Sequence, residues 1–268
     1  MPQPTQHTYQ VNRRLAMDTL EAGQGEPLLF LHGAGGLAWD PYLDALAEHY
    51  RVIAPFMPGT SKSNDISQVR DLWDLVLGYY DLLDALHIDA VNVVGHSMGG
   101  MIACEIAATD QSRVKRLVAI APAGVFDIDN PMPDIFAMRP RDLAARMLVD
   151  PDSQIAKAIA TLPDDVDEQV EVLIQRLSTL NAAAKFLWPI PDKGLDRRLP
   201  RIKAPTLIIW GRQDGLIPVA YADIFMAGMP HARLEVLDQA SHLVQIERLP
   251  DALRLTLAAL QAPTHSAP

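Results

Sequence analysis

Apolar positions along the chain follow two rhythms. Short and nearly continuous runs, Leu28-Leu29-Phe30-Leu31, Val91-Asn92-Val93-Val94, Arg116-Leu117-Val118-Ala119-Ile120 and Thr206-Leu207-Ile208-Ile209-Trp210, have the length and composition of strands covered on both faces. Between them the period lengthens to that of a helix. Leu72, Leu75, Val76, Tyr79, Leu82, Leu83 and Leu86 put one apolar stripe on a long helix from Asp71 to Leu86, and Tyr42, Leu43 and Leu46 mark a shorter one. Arg51 to Ala54 reads as a further strand, and Tyr9–Arg14 with Leu15–Leu20 as an antiparallel pair leading the sheet. Strand and helix therefore alternate, the signature of a mostly parallel sheet covered by helices on both faces, an α/β fold.

The alternation stops at Pro122 and resumes near residue 201. In between lie short helical patterns punctuated by Pro131, Pro133, Pro140, Pro151, Pro163, Pro189 and Pro191, apolar on one side (Ile135, Phe136, Met138, Leu143, Met147, Phe186, Trp188). This is the pattern of a helical insertion lying over one end of the sheet, with linkers near 122–131 and 189–200. It divides the chain into a core of 1–122 and 201–268 and a helical insertion of 123–200. After the insertion come the strand ending at Trp210, a helix over Val219–Met229, a strand over Leu234–Leu237 and a closing helix over Pro250–Leu260. Residues 1–7 and 262–268, rich in Pro, Gln, Thr and Ser, are expected to fray.

Composition narrows the class. A chain of 268 residues with 49% hydrophobic and 21% charged residues has enough apolar content for one large core. A net charge of −10 without a Lys/Arg stripe argues against nucleic acid or an anionic membrane as a partner. Cys104 is the single cysteine, so a disulfide within the chain is impossible; it reads as a small core residue and suits a reducing, cytoplasmic setting. The start of the sequence shows no basic-then-apolar leader, and no apolar run approaches a membrane span.

Chemistry concentrates at Gly95-His96-Ser97-Met98-Gly99, between a β-branched run and a small-residue helix over Met98–Ala108. A strand that turns this sharply into a helix needs glycine on both sides of the apex, where the two backbones nearly touch. The apex serine is lifted clear of the surface, beside the free N–H groups of the helix start. A serine hydroxyl is a poor nucleophile at neutral pH and needs a base and a group to orient that base. In a parallel sheet those partners lie in the loops beyond other strands' carboxyl ends. Asp214 follows the Trp210 strand and His242 follows the last strand, giving the chain order Ser97, Asp214, His242. Asp127, beyond the Ile120 strand, is the competing acid. An acyl-transfer oxyanion needs two N–H donors. Met98, after the serine, supplies one, and Ala34 in the loop His32-Gly33-Ala34-Gly35-Gly36 the other, with Gly35 as the alternative.

Together, His32-Gly33, Pro58-Gly59, Gly95-His96-Ser97-Met98-Gly99-Gly100, Gly211-Arg212-Gln213-Asp214 and Ser241-His242 resemble the α/β-hydrolase-fold enzymes over nearly the whole chain. The resemblance implies an eight-stranded, mostly parallel sheet with a helical cap inserted after the sixth strand, and Ser97, His242 and Asp214 as a catalytic triad. Phe56 stands where relatives usually carry an acid two residues before Pro-Gly. Relatives that cleave carbon–carbon bonds in dienoic diketones resemble the stretch Gly211–Asp214. They usually have a Gly-Pro-Gly-like run after His-Gly and a tryptophan after the catalytic histidine, where this chain has Ala34-Gly35-Gly36-Leu37 and Leu243. Ser97 also sets it apart from relatives with an aspartate nucleophile.

The expected activity is hydrolysis of carboxylic esters of small to medium apolar substrates through an acyl-enzyme. Carbon–carbon-bond hydrolysis of dienoic ring-cleavage products is the alternative, and a small-molecule receptor with little turnover a third. No metal or cofactor is required, and the expected state is a monomer or homodimer acting on a small molecule. Gly35, Phe136, Met138, Met147, Trp188 and Leu243 are the candidate substrate contacts, although the apolar cap residues would equally serve as the cap's own core.

Overall fold

In the computed structural model, which describes residues 3–61, 65–188 and 192–262, eight strands form one sheet. They are β1 (Thr5–Gln10), β2 (Ala16–Ala22), β3 (Pro27–Leu31), β4 (Arg51–Pro55), β5 (Val91–His96), β6 (Val114–Ile120), β7 (Thr206–Gly211) and β8 (Arg233–Leu237). Their order across the sheet is β1-β2-β4-β3-β5-β6-β7-β8. The pairs β1/β2 and β2/β4 are antiparallel and the others parallel. The chain first steps from β3 outward to β4, then crosses back to β5 on the other side of β3. The winding reverses there, and a crevice opens beyond the carboxyl ends of β3 and β5.

Both faces of the sheet are covered, and side-chain alternation decides which residue goes where. In β3, Leu28 and Phe30 join one apolar cluster while Leu29 and Leu31 join the other. In β6, Val118 and Ile120 join the first, Leu117 and Ala119 the second. The first cluster takes in residues of α1 (Pro41–Ala47) and of the closing helix; the second takes in those of α2 (Leu72–Ala85) and α3 (Met98–Thr109). Asp71 caps α2, its side chain accepting from the Asp74 amide, so the helix starts where the periodicity does. Cys104 is fully buried on α3 and burial pushes its thiol pKa up, consistent with a packing role.

The insertion follows β6 and contains α4 (Pro140–Met147), α5 (Gln154–Ala160) and α6 (Val166–Leu187). It returns through two short 3-10 turns, Leu195–Arg197 and Leu199–Arg201. Arg198 grips the buried Glu105 of α3 with two hydrogen bonds of 2.6 Å, tying that return to the helix that follows Ser97. After β7 come α7 (Tyr221–Gly228), β8, α8 (Val244–Glu247) and α9 (Leu249–Gln261).

Three expectations need correction. Residues 5–7 do not fray but belong to β1, and the leading hairpin pairs Thr5–Gln10 with Ala16–Ala22 rather than Tyr9–Arg14 with Leu15–Leu20. As an edge strand, β1 is almost wholly exposed and so carries no apolar pattern to read. The first linker is longer than expected, since no helix forms between β6 and Pro140. Residues 1–2 and 263–268 of the expected frayed ends, and Pro189 and Pro191 of the second linker, lie outside the described residues.

Gly99 shows how tightly the turn is built. A Cβ there would stand 2.0 Å from the carbonyl oxygen of Leu31 and 2.6 Å from that of His32. Neither backbone can yield without displacing β3. Gly99→Ala is therefore expected to lower unfolding stability by about 3 kcal/mol or more. Gly35→Ala, where a Cβ meets nothing within 4 Å, is expected to change it by about 0.5 kcal/mol or less. Urea-unfolding midpoints of the two variants measure the contrast; equal midpoints would contradict it.

Candidate active site

Ser97 sits at the apex between β5 and α3 with φ 56° and ψ −118°, a left-handed region that costs a non-glycine residue about 1–3 kcal/mol. Three backbone bonds hold it there: its N–H donates to Ile120 O (2.9 Å), and its carbonyl accepts from Met101 N (3.1 Å) and Ala123 N (3.0 Å). Gly95 makes room for Gly99, whose carbonyl oxygen would lie 2.3 Å from an added Cβ. Gly33, just beyond β3, passes so close that its own Cβ would be 3.2 Å from Ser97 Cβ.

His242 and Asp214, which the sequence places beyond different strands, are in contact. His242 Nδ1 donates to Asp214 Oδ2 at 2.8 Å, with both side chains buried. The other carboxylate oxygen of Asp214 accepts from the amides of Leu216 and Ile217, each at 2.9 Å, which fixes its plane. Asp127, the competitor, instead closes a surface turn with Asp129 and Asn130. The Ser97 hydroxyl makes no hydrogen bond to His242 among the described residues. The two face a common cavity, and such bonds are often loose until substrate is bound.

Two further histidines brace the site. His96 Nε2 donates to the backbone carbonyl of His242 at 2.9 Å, and the two rings lie 4.9 Å apart. His32 Nδ1 donates to Gly33 O at 2.7 Å while its Nε2 accepts from Met57 N at 3.1 Å, pinning the loop that carries Ala34. Burial keeps both rings neutral, lowering His32 to about 4 and His96 to about 3. Their link to the site arises only where distant loops come into contact.

The sign of their effect on stability follows. Each ring takes up a proton near the ordinary histidine value of 6.5 when unfolded but resists protonation when folded. The unfolded state thus binds more protons as pH falls below that value, and stability drops through the window down to about 4. Thermal-unfolding midpoints are expected to decline across this window, above the range where most carboxylates titrate. A flat profile there would contradict the assignment.

Ser97 and His242 lie where two cavities adjoin, of about 290 and 470 Å³, which also share Ala34, Ile135 and Leu216. Phe136 and Trp188, in edge-to-face contact at 6.1 Å, line the smaller. Gly35, Met147 and Leu243 line the larger. Met138 lines neither and packs against the core, as does the buried Phe186. Pro131, Met132 and Pro133 line the smaller cavity without any periodic signal in the sequence to mark them. The end of α4 is stitched to the loops of both residues: Ser241 Oγ donates to Arg146 O and Leu243 N to Met147 O from the histidine loop, and Gly215 N donates to Arg146 O from the loop that carries Asp214. The Ala34 amide and that of Met98, the first residue of α3, make no hydrogen bond among the described residues. No cluster of metal-ligating side chains occurs among the described residues, and no helix there is long and apolar enough to cross a membrane.

A family profile described as alpha/beta hydrolase fold matches residues 26–249. The chain is 31% identical over 258 residues to the 2-hydroxy-6-oxo-6-phenylhexa-2,4-dienoate hydrolase of Burkholderia cepacia, covering 88% of each. It is 32% identical over 244 residues to the 2-hydroxymuconate semialdehyde hydrolase of Pseudomonas sp. (strain CF600), covering 85% of this chain and 84% of that one. Among solved structures, a bacterial membrane phospholipase A superposes with a TM-score of 0.80 at 22% identity over 96% of this chain and 86% of that one, a likeness of fold alone.

Proposed function

The chain belongs to the α/β-hydrolase fold family, and from that membership and the site geometry we propose that it is a serine hydrolase with Ser97 as nucleophile. The observation that carries this reading is the strained Ser97 facing one cavity with a histidine tied to a buried carboxylate. Ser97 Oγ attacks a carbonyl carbon as His242 Nε2 takes its proton, and Asp214 holds the imidazole and steadies its cationic form. The Ala34 and Met98 amides receive the oxyanion. His242 then returns the proton to the leaving group, and water repeats the two steps to free Ser97. Residues 123–200 act as a cap over the core of 1–122 and 201–268, walling the two lobes in which the parts of the substrate on either side of the carbonyl lie.

For the bond broken, the relatives support carbon–carbon cleavage better than the ester cleavage expected first, since the curated relatives at 31% and 32% identity are named for dienoate and semialdehyde hydrolysis. We adopt that reading: the leaving group is a carbon that departs as a stabilised enolate and is protonated. Ester cleavage is the second reading, favoured by Leu243 beside His242 in the larger lobe. Both substrates offered to one preparation decide between them. Faster loss of a dienoic diketone's absorbance, measured as kcat/KM, supports the first. Faster release of p-nitrophenol from a simple ester supports the second.

A further inference from the structure

The lining of the two cavities bears on the charge of the substrate. Among the described residues, neither lobe is lined by Lys or Arg, and the carboxylates that line them are Asp134 in the smaller and Asp40 in the larger. Asp40 is already committed to capping α1, accepting from Leu43 N at 2.9 Å, and Asp134 accepts from Phe136 N. Three arginines of the cap are engaged elsewhere, among them Arg146, which donates to Gly215 O. Arg139 pairs with Asp142, and Arg176 donates to the carbonyls of Ala158 and Thr161. His32 and His96 border the larger lobe but are buried and neutral, and Gln245 brings only an uncharged amide. The free amides of Ala34 and Met98 are reserved for the oxyanion.

A carboxylate entering either lobe would shed its water, find no cation and approach an acid of its own sign, a costly arrangement. We propose that this enzyme takes a carbonyl compound that is uncharged and largely apolar on both sides of the scissile carbonyl, unlike the dienoates for which its relatives are named. The proposal rests on the reading of Ser97 as nucleophile and specifies what that site admits. It holds for either bond class, because both lobes share the property. A 1,5-diketone whose acid end is absent or esterified fits the first class, and an ester of two apolar halves fits the second.

Two matched sets of compounds test it. One is 2-hydroxy-6-oxo-6-phenylhexa-2,4-dienoate against its methyl ester, followed by benzoate release. The other is the set of p-nitrophenyl esters of hexanoic acid, adipic acid (as its monoester) and aminohexanoic acid, similar in length but neutral, anionic and cationic. The neutral member of each set is expected to exceed the anionic one in kcat/KM by about tenfold or more. Equal or faster turnover of an anion, or a preference for the cation, would overturn the proposal. Binding of the diketone acid and its methyl ester to Ser97→Ala, titrated by absorbance, reads the same preference without catalysis. The ester binding more tightly supports the proposal, and the acid binding as tightly overturns it. Undiminished turnover by Ser97→Ala would instead overturn the nucleophile assignment, so the two failures are distinguishable.

Discussion

Ser97→Ala is expected to fold like the parent and to lose about five orders of magnitude in kcat, the scale on which removal of a triad nucleophile acts. The substitution deletes one oxygen at a position whose backbone is held by Ile120, Met101 and Ala123, none of which bonds to the hydroxyl. Alanine tolerates the left-handed φ no better than serine, so the strain is common to both proteins. The amides of Ala34 and Met98 remain, and a small residual rate over water is expected from them. Turnover under saturating substrate, with the urea midpoint as a check on folding, measures the effect. A loss smaller than about tenfold would move the nucleophile away from Ser97.

Asp214→Asn should come second, with kcat down by about 10⁴-fold and the fold retained. The argument is one of tautomers. Asp214 offers one oxygen to two backbone amides and the other to His242 Nδ1. Asparagine must satisfy the two amides with its single carbonyl oxygen, which turns its NH₂ group toward Nδ1. That donor forces Nδ1 to accept, so the ring proton moves to Nε2, where a base is needed to face Ser97. Asp127→Asn, altering an exposed turn, is expected to leave kcat unchanged. If the two variants behaved in the reverse way, the acid of the triad would be Asp127.

Most of what positions the site could be read from residues. The apolar runs gave β3, β5, β6 and β7 to within two residues, because strands buried on both faces must be apolar throughout. The spacing of Gly95, Ser97 and Gly99 encoded the tight turn, and the structure supplies the reason in the Leu31 and His32 carbonyls that press on Gly99. The chain order of Asp214 and His242 put both at the same edge as Ser97 because parallel strands end there. What stayed hidden depends on contacts between distant segments. The exposed β1 had no hydrophobic pattern, and the four-residue α8 was too short to show a period. The stretch before Pro140 has no secondary structure to betray that its prolines wall the smaller cavity. Apolar cap residues looked alike in sequence, yet Phe136 and Trp188 line the cavity while Met138 and Phe186 turn to the core. The bracing by His32 and His96 was equally invisible, since it runs through backbone atoms of other loops.

The assignment of Ser97 as an activated nucleophile is tested most directly by mass spectrometry after treatment with a fluorophosphonate, which phosphonylates a serine only when an adjacent base can take its proton. The expected result is a single adduct that maps to Ser97 and forms far more slowly in His242→Ala. An unlabelled protein, an adduct on another residue, or labelling indifferent to His242 would contradict it.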